Sequence, residues 1–236
     1  MNESDKPTYR LGSWLVREDW PLWIVLLASI VVGAVVYPSL PERIPTHWGL
    51  NGEANGWSGR AGGVFGMVGL NLAVYLILVF IPLVDPRREN YRKFLPTLRV
   101  IRAGLVIFMT AIWGAALAAA AGAPVPMDRV VSLLLSLLFI LLGNYMTRVR
   151  YNWFIGVRTP WSLANEEAWR LTHRVAGPAF VAGGLISLAG AAFGGGIAML
   201  ALAVGAGGAS VVSFVYSFFA FRKSQTSEAT ADTDRT

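Results

Sequence analysis

Long uncharged stretches alternate with short charged ones throughout this chain. Trp20 to Pro41, Ala61 to Val84, Ala103 to Met127 and Val130 to Thr147 contain no Asp, Glu, Lys or Arg, and Val175 to Phe221 continues that way for 47 residues. A helix rises 1.5 Å per residue, so about 20 apolar residues cross the ~30 Å hydrocarbon of a bilayer. The first four stretches each fit one crossing. The fifth is too long for one, and Gly194-Gly195-Gly196 breaks it into two helices joined by a tight turn. Six spans are predicted: 20–38, 61–84, 103–121, 129–147, 175–193 and 197–221. None alternates with period two, which excludes a β-barrel, and backbone groups in lipid must bond internally, which favours helices. The fold class is therefore an all-α polytopic bundle of about six transmembrane helices.

Composition agrees: 55% of residues are hydrophobic and 14% charged, with a mean hydropathy of +0.52, against about 25% charged in soluble domains. The basic residues add orientation. Lys6, Arg10 and Arg17 precede the first span. Arg87, Arg88, Arg92, Lys93, Arg99 and Arg102 follow the second, and Arg148, Arg150, Arg158, Arg170 and Arg174 follow the fourth. Arg222, Lys223 and Arg235 follow the sixth, whereas only Arg43, Arg60 and Arg129 fall on the other side. By the positive-inside rule both termini are cytoplasmic. The net charge of +6 then reflects helix-flanking residues facing membrane lipids rather than a nucleic-acid partner. Cysteine is absent, which leaves no disulfide or thiolate metal site. The first 19 residues lack a small-residue cleavage site, so the first span is expected to stay as an anchor.

The expected organisation is a cytoplasmic segment (1–19), the first span with a structured outer loop (20–60), and two spans around a basic loop (61–128). A region of three spans (129–221) and a disordered polar tail (222–236) complete it. The outer loop contains Pro38, Pro41 and Pro45, with turn signals at Asn51-Gly52 and Asn55-Gly56. A compact, irregular or short β-rich loop follows, with Trp48 and Trp57 at headgroup level. The basic loop 85–102 reads as an orientation signal touching lipid headgroups. In 148–174, Ser162 or Asn165 can cap a helix with Glu166 and Glu167 in its first turn. Glu166 and Arg170 are spaced as an i,i+4 ion pair, and Trp169 and His173 share one face.

These loops carry a resemblance. Gly143-Asn144-Tyr145 through Asn152, then Phe154-Ile155-Gly156-Val157-Arg158-Thr159-Pro160-Trp161, Asn165-Glu166-Glu167, Trp169 and Thr172-His173 together resemble the signature of the SdpI family of membrane immunity proteins. Leu40-Pro41, Ile44-Pro45, His47-Trp48, Gly52, Gly56-Trp57 and Arg60 are similar to a short domain of unknown function often found ahead of it. The resemblance implies a multi-pass protein of the bacterial cytoplasmic membrane that protects its cell from a secreted peptide toxin, in at least one case signalling to a cytoplasmic regulator. It supplies no catalytic residues. The longer polar tail departs from the family pattern.

Two surfaces are therefore expected. The cytoplasmic one comprises Asn144, Asn152, Gly156, Arg158, Thr159, Pro160, Trp161, Asn165, Glu166, Trp169, Thr172 and His173. The outer one comprises Pro41, Pro45, His47, Trp48, Gly52, Gly56, Trp57 and Arg60. The two histidines lie on opposite sides, so they cannot share a metal, and no ligand spacing matches a standard site. No metal and no cofactor is expected. The expected partners are lipids, an extracellular peptide toxin and a cytoplasmic regulator. Two alternatives compete with immunity. One is a small-molecule or lipid transporter, although no acid or base lies near a span midpoint and the polar residues there are few, Asn71, Ser132, Ser136 and Ser187. The other is a membrane enzyme using His173 and Glu166, which no nucleophile motif accompanies; the expectation is a non-enzyme. Gly62-xxx-Gly66 and Gly190-xxx-Gly194 read as close helix-packing sites.

Overall fold

The computed structural model describes residues 11–12, 17–49 and 52–233. Helix α1 spans Trp20–Val36, with Pro21 in its first turn, where the missing N–H costs nothing. A 3₁₀ turn, Tyr37–Ser39, leads into strands β1 (Arg43–Trp48) and β2 (Ala54–Gly59). A π-helical turn, Gly62–Gly66, opens α2 (Met67–Val84), and a 3₁₀ segment, Arg88–Phe94, opens α3 (Leu95–Ala120). Then come α4 (Met127–Met146), α5 (Glu166–Ala191) and α6 (Gly195–Thr233). Six helices among the described residues are long and apolar enough to cross a membrane. Their outer faces require one: Val35, Val84, Leu200 and Val211 are 74%, 70%, 66% and 63% exposed, a density of apolar surface that water does not tolerate.

The outer loop is β-rich, as expected. The strands pair antiparallel with Ile44 opposite Ser58 and Pro45 opposite Trp57, and irregularities flank His47. Leu40 and Ile44 drop from the hairpin into a core with Val64, Val68, Trp113 and Leu117. Gly62 and Gly63, but not Gly66, make close approaches: a Cβ would overlap the Ser58 hydroxyl at the first and Ile44 at the second. Gly52 turns with φ +80°; Asn51 lies outside the described residues. Asn55-Gly56 does not turn. It lies within β2, where the Asn55 carboxamide Oδ1 accepts from Nδ1 of His47 at 2.5 Å.

Helices α5 and α6 form the predicted hairpin, turning through Gly194 (φ +73°). They pack backbone to backbone, with Gly183 on Gly205 and Gly190 on Ala201. The buried side of α6 is a ladder of small residues, Ala198, Ala209, Ser213, Ser217, Ala220 and Ser224, which permits this approach. Gly143 of α4 meets Gly177 of α5 in the same way.

Three expectations need correction. Residues 222–233 continue α6 as helix rather than a disordered tail, since nothing from Arg222 to Thr233 is Gly or Pro and the preceding span supplies the nucleus; residues 234–236 lie outside the described set. Arg170 pairs with Glu167 at 2.6 Å, one turn position nearer than Glu166. Basic residues of the 85–102 loop also do more than meet lipid. Arg102 is fully buried and pairs with Asp19 at 2.6 Å, Tyr75 donates to the same carboxylate at 3.0 Å, and Arg99 pairs with Glu18.

Candidate functional site

The segment 148–165 between α4 and α5 is the most heavily bonded irregular stretch among the described residues. Its start and end show why. Asn165 caps α5, its Oδ1 accepting from the Ala168 N–H at 2.7 Å, and its Nδ2 donates to Ser224 of α6 at 3.0 Å. Thr159 donates to Ser217 Oγ at 2.8 Å. Ser217 and Ser224 are seven residues apart on α6, about 10 Å along a helix axis. The Val157 N–H donates to Nε2 of His173 at 3.0 Å, and His173 lies equally far into α5. The loop therefore folds back about two helical turns along the bundle.

Irregular backbone at that depth is tolerated only where the protein satisfies its polar groups. Asn152, wholly buried, does most of this. Its Oδ1 accepts from the N–H groups of Phe154 (2.8 Å) and Ile155 (2.7 Å). Its Nδ2 donates to the carbonyls of Arg150 (2.8 Å) and Ile155 (2.9 Å). Ser162 accepts from the Thr159 N–H (2.9 Å) and donates to the Val157 carbonyl (2.7 Å). The Trp169 indole donates to the Val149 carbonyl at 3.0 Å. His173 accepts at Nε2, so its proton sits on Nδ1 and is donated to the Trp169 carbonyl at 2.9 Å. That is one neutral tautomer, fixed by two backbone groups. Gly156 takes φ +120° against the stacked Trp169 and His173 rings, and a Cβ there would overlap the imidazole.

A second wall comes from a distant loop. The buried Asp85 carboxylate accepts from the Arg87 N–H (2.7 Å), the Tyr91 hydroxyl (2.8 Å) and the Trp153 N–H (2.9 Å). Asn90 donates to the Tyr151 carbonyl at 2.9 Å. Arg87 lies 3.6 Å over the Tyr151 ring and donates to its hydroxyl at 2.7 Å. Tyr91, Phe94, Leu98, Ile101, Val149, Tyr151 and Trp169 close one apolar core beneath. Asp85, Arg87, Asn90 and Tyr91 were missed as members of this site. The available signal was an acid set at the very end of an apolar run.

Of the twelve residues expected on one cytoplasmic surface, Asn152, Thr159, Trp169, Thr172 and His173 are buried. Gly156, Arg158, Pro160 and Glu166 are exposed, and Trp161 and Asn165 are half-buried. Trp161 abuts Phe214 and Phe218 edge-on at 5.3 Å. Asn144 is exposed on α4 beside a shallow groove with Gly177 and Pro178. Glu166 and His173 are not brought together: the carboxylate faces outward and both imidazole nitrogens are engaged. On the hairpin, Pro41, His47 and Trp57 are exposed, Trp57 at 52%, and Pro45, Trp48, Gly52, Gly56 and Arg60 are half-buried. Arg60 donates to the Pro41 carbonyl at 3.2 Å. No three His, Cys, Asp or Glu among the described residues cluster as a metal site.

Residues 148–217, which hold this loop and the helices that clamp it, match the model of the SdpI/YfhL protein family. Residues 24–72, the first span with the hairpin, match a domain of unknown function, DUF1648. Over 200 residues the chain is 26% identical to immunity protein SdpI of Bacillus subtilis (strain 168), covering 85% of this chain and 94% of that relative. No solved structure matches it significantly. Six apolar helices and this similarity make it a multi-pass protein of the bacterial cell membrane.

Proposed function

We propose that this protein is a membrane immunity protein that protects its cell against a secreted peptide toxin. Its similarity along nearly the whole length of an SdpI immunity protein carries the reading. The basic end of the bundle is cytoplasmic by the positive-inside rule, so the β1–β2 hairpin meets the toxin outside, with His47 and Trp57 as its outermost contact residues. The signature loop is the rigid base. A relay to a cytoplasmic regulator has a physical path. A Cβ on Gly52 in the hairpin turn would lie 3.1 Å from the Asp128 Cβ, and Asp128 accepts from the Gly195 N–H at the α5–α6 turn. Displacing the hairpin therefore bears on the helix pair whose far ends clamp the signature loop. The engaged nitrogens of His173 support a non-catalytic role.

Growth of a toxin-sensitive host expressing the wild type or His47→Ala, Trp57→Ala or Arg158→Ala tests the reading. Protection by the wild type, lost in hairpin variants that still reach the membrane, is expected. Sensitivity unchanged by the wild type in the presence of the cognate toxin contradicts it. The cysteine-free chain also allows orientation to be read: a membrane-impermeant maleimide should label Asn55→Cys in intact cells and Arg150→Cys only after lysis.

A further inference from the structure

A cavity of about 500 Å³ lies at the basic end, between α2 and α3 on one side and α4, α5 and α6 on the other. This is far larger than a packing void and falls in the range of ligand sites. Its walls are apolar, with Leu78, Ile101, Leu105, Leu142, Phe180 and Phe214 among them, and its roof is the signature loop from Phe154 to Thr159. The polar groups that line it are already used. Ser210 and Ser213 donate to carbonyls of their own helix, and Thr159 is bonded to Ser217. Arg158 is different. It is the one charged residue in the lining, it is exposed, and its described protein bond is a 3.3 Å contact to the Trp153 carbonyl. No carboxylate forms a described ion pair with it.

We propose that this cavity holds one acyl chain of an anionic phospholipid from the surrounding bilayer, with the lipid phosphate on the Arg158 guanidinium. The placement is consistent on each count. The apolar part lies between the membrane-crossing helices, the cation is exposed at the cavity's rim on the basic end of the bundle, and guanidinium binds phosphate with paired, charge-assisted bonds. An apolar cavity between membrane-crossing helices favours a lipid tail over water. This explains a feature the loop's internal bonding does not: Asn152 and Thr159 turn their side-chain polar groups inward, while Arg158 of the same loop stays exposed at the cavity's rim. The occupant is a bound lipid that braces the loop against α3 and α6, and the site is separate from any toxin contact on the hairpin.

The full chain, reconstituted in dioleoylphosphatidylcholine vesicles, is doped with phosphatidylglycerol carrying a photoactivatable diazirine on its acyl chain. A parallel sample carries the same chain on phosphatidylcholine. After photolysis, labelled peptides are mapped by mass spectrometry. The phosphatidylglycerol probe should label peptides holding Ile101, Leu105 and Phe214 about tenfold more than the phosphatidylcholine probe, the size expected for a charge-assisted bond. Arg158→Gln should abolish that preference, and Leu105→Trp, which fills the cavity, should reduce labelling from both probes. Phe180→Trp repeats the filling test should the first variant fail to fold, as judged by circular dichroism and monodisperse elution. Equal labelling by the two headgroups overturns the proposal, as does a preference that survives Arg158→Gln. Competition by free glycerol phosphate as effective as by phosphatidylglycerol would assign the site to a soluble phosphate ester and overturn it too.

Discussion

The hairpin and the signature loop both consist of irregular, Gly- and Pro-containing chain between two spans, and they are held in opposite ways. The hairpin hangs on the bundle by two apolar anchors, Leu40 and Ile44, while Trp57 and His47 remain exposed. The loop is held by side-chain bonds to its own backbone, from Asn152, Ser162, Trp169 and His173. Anchoring a segment by a few apolar residues leaves its polar surface available to a partner. Anchoring it by polar residues consumes that surface. The same residue types, Asn, His and Trp, are therefore display residues on one side and internal struts on the other.

Substitutions that break the struts should have the largest effects. Asn152→Ala strands two buried N–H groups and two carbonyls, each costing about 1–3 kcal/mol. With partial relaxation, a loss of about 3–5 kcal/mol and a large fall in thermal midpoint in detergent are expected. Gly156→Ala combines a φ of +120° with a methyl driven into His173. It should lose about 2–4 kcal/mol by the same measurement. An unchanged midpoint in either variant would mean that the loop is not internally braced. On the hairpin the order reverses. Trp57→Ala should alter stability by less than about 0.5 kcal/mol yet reduce protection in the growth assay, which separates display from bracing. Smallest of all, Arg170→Ala removes an exposed pair with Glu167 and should leave both midpoint and protection unchanged.

The six spans were legible because the bilayer imposes a length and excludes charge, two properties written directly into composition. The hairpin was legible from its prolines, and the Asn165 cap from the acids that follow it. Reading the 148–174 loop as a surface failed for a definable reason. Polar residues in a loop ordinarily face water, but here the loop turns back along the bundle, and its own backbone becomes the partner that water would have been. Nothing local to Asn152 or His173 distinguishes the two situations. Asp85 and Tyr91 escaped because their contacts lie 60 or more residues away, and Arg102 because its partner, Asp19, precedes the first span.

Amide hydrogen exchange of the protein in lipid nanodiscs tests the contrast most directly. The amides of Phe154, Ile155, Val157 and Thr159 should exchange as slowly as those inside the helices, while the hairpin turn around Gly52 exchanges much faster. Fast exchange at Ile155 and Val157, matching the hairpin turn, would contradict the account and return the signature loop to the status of an open surface.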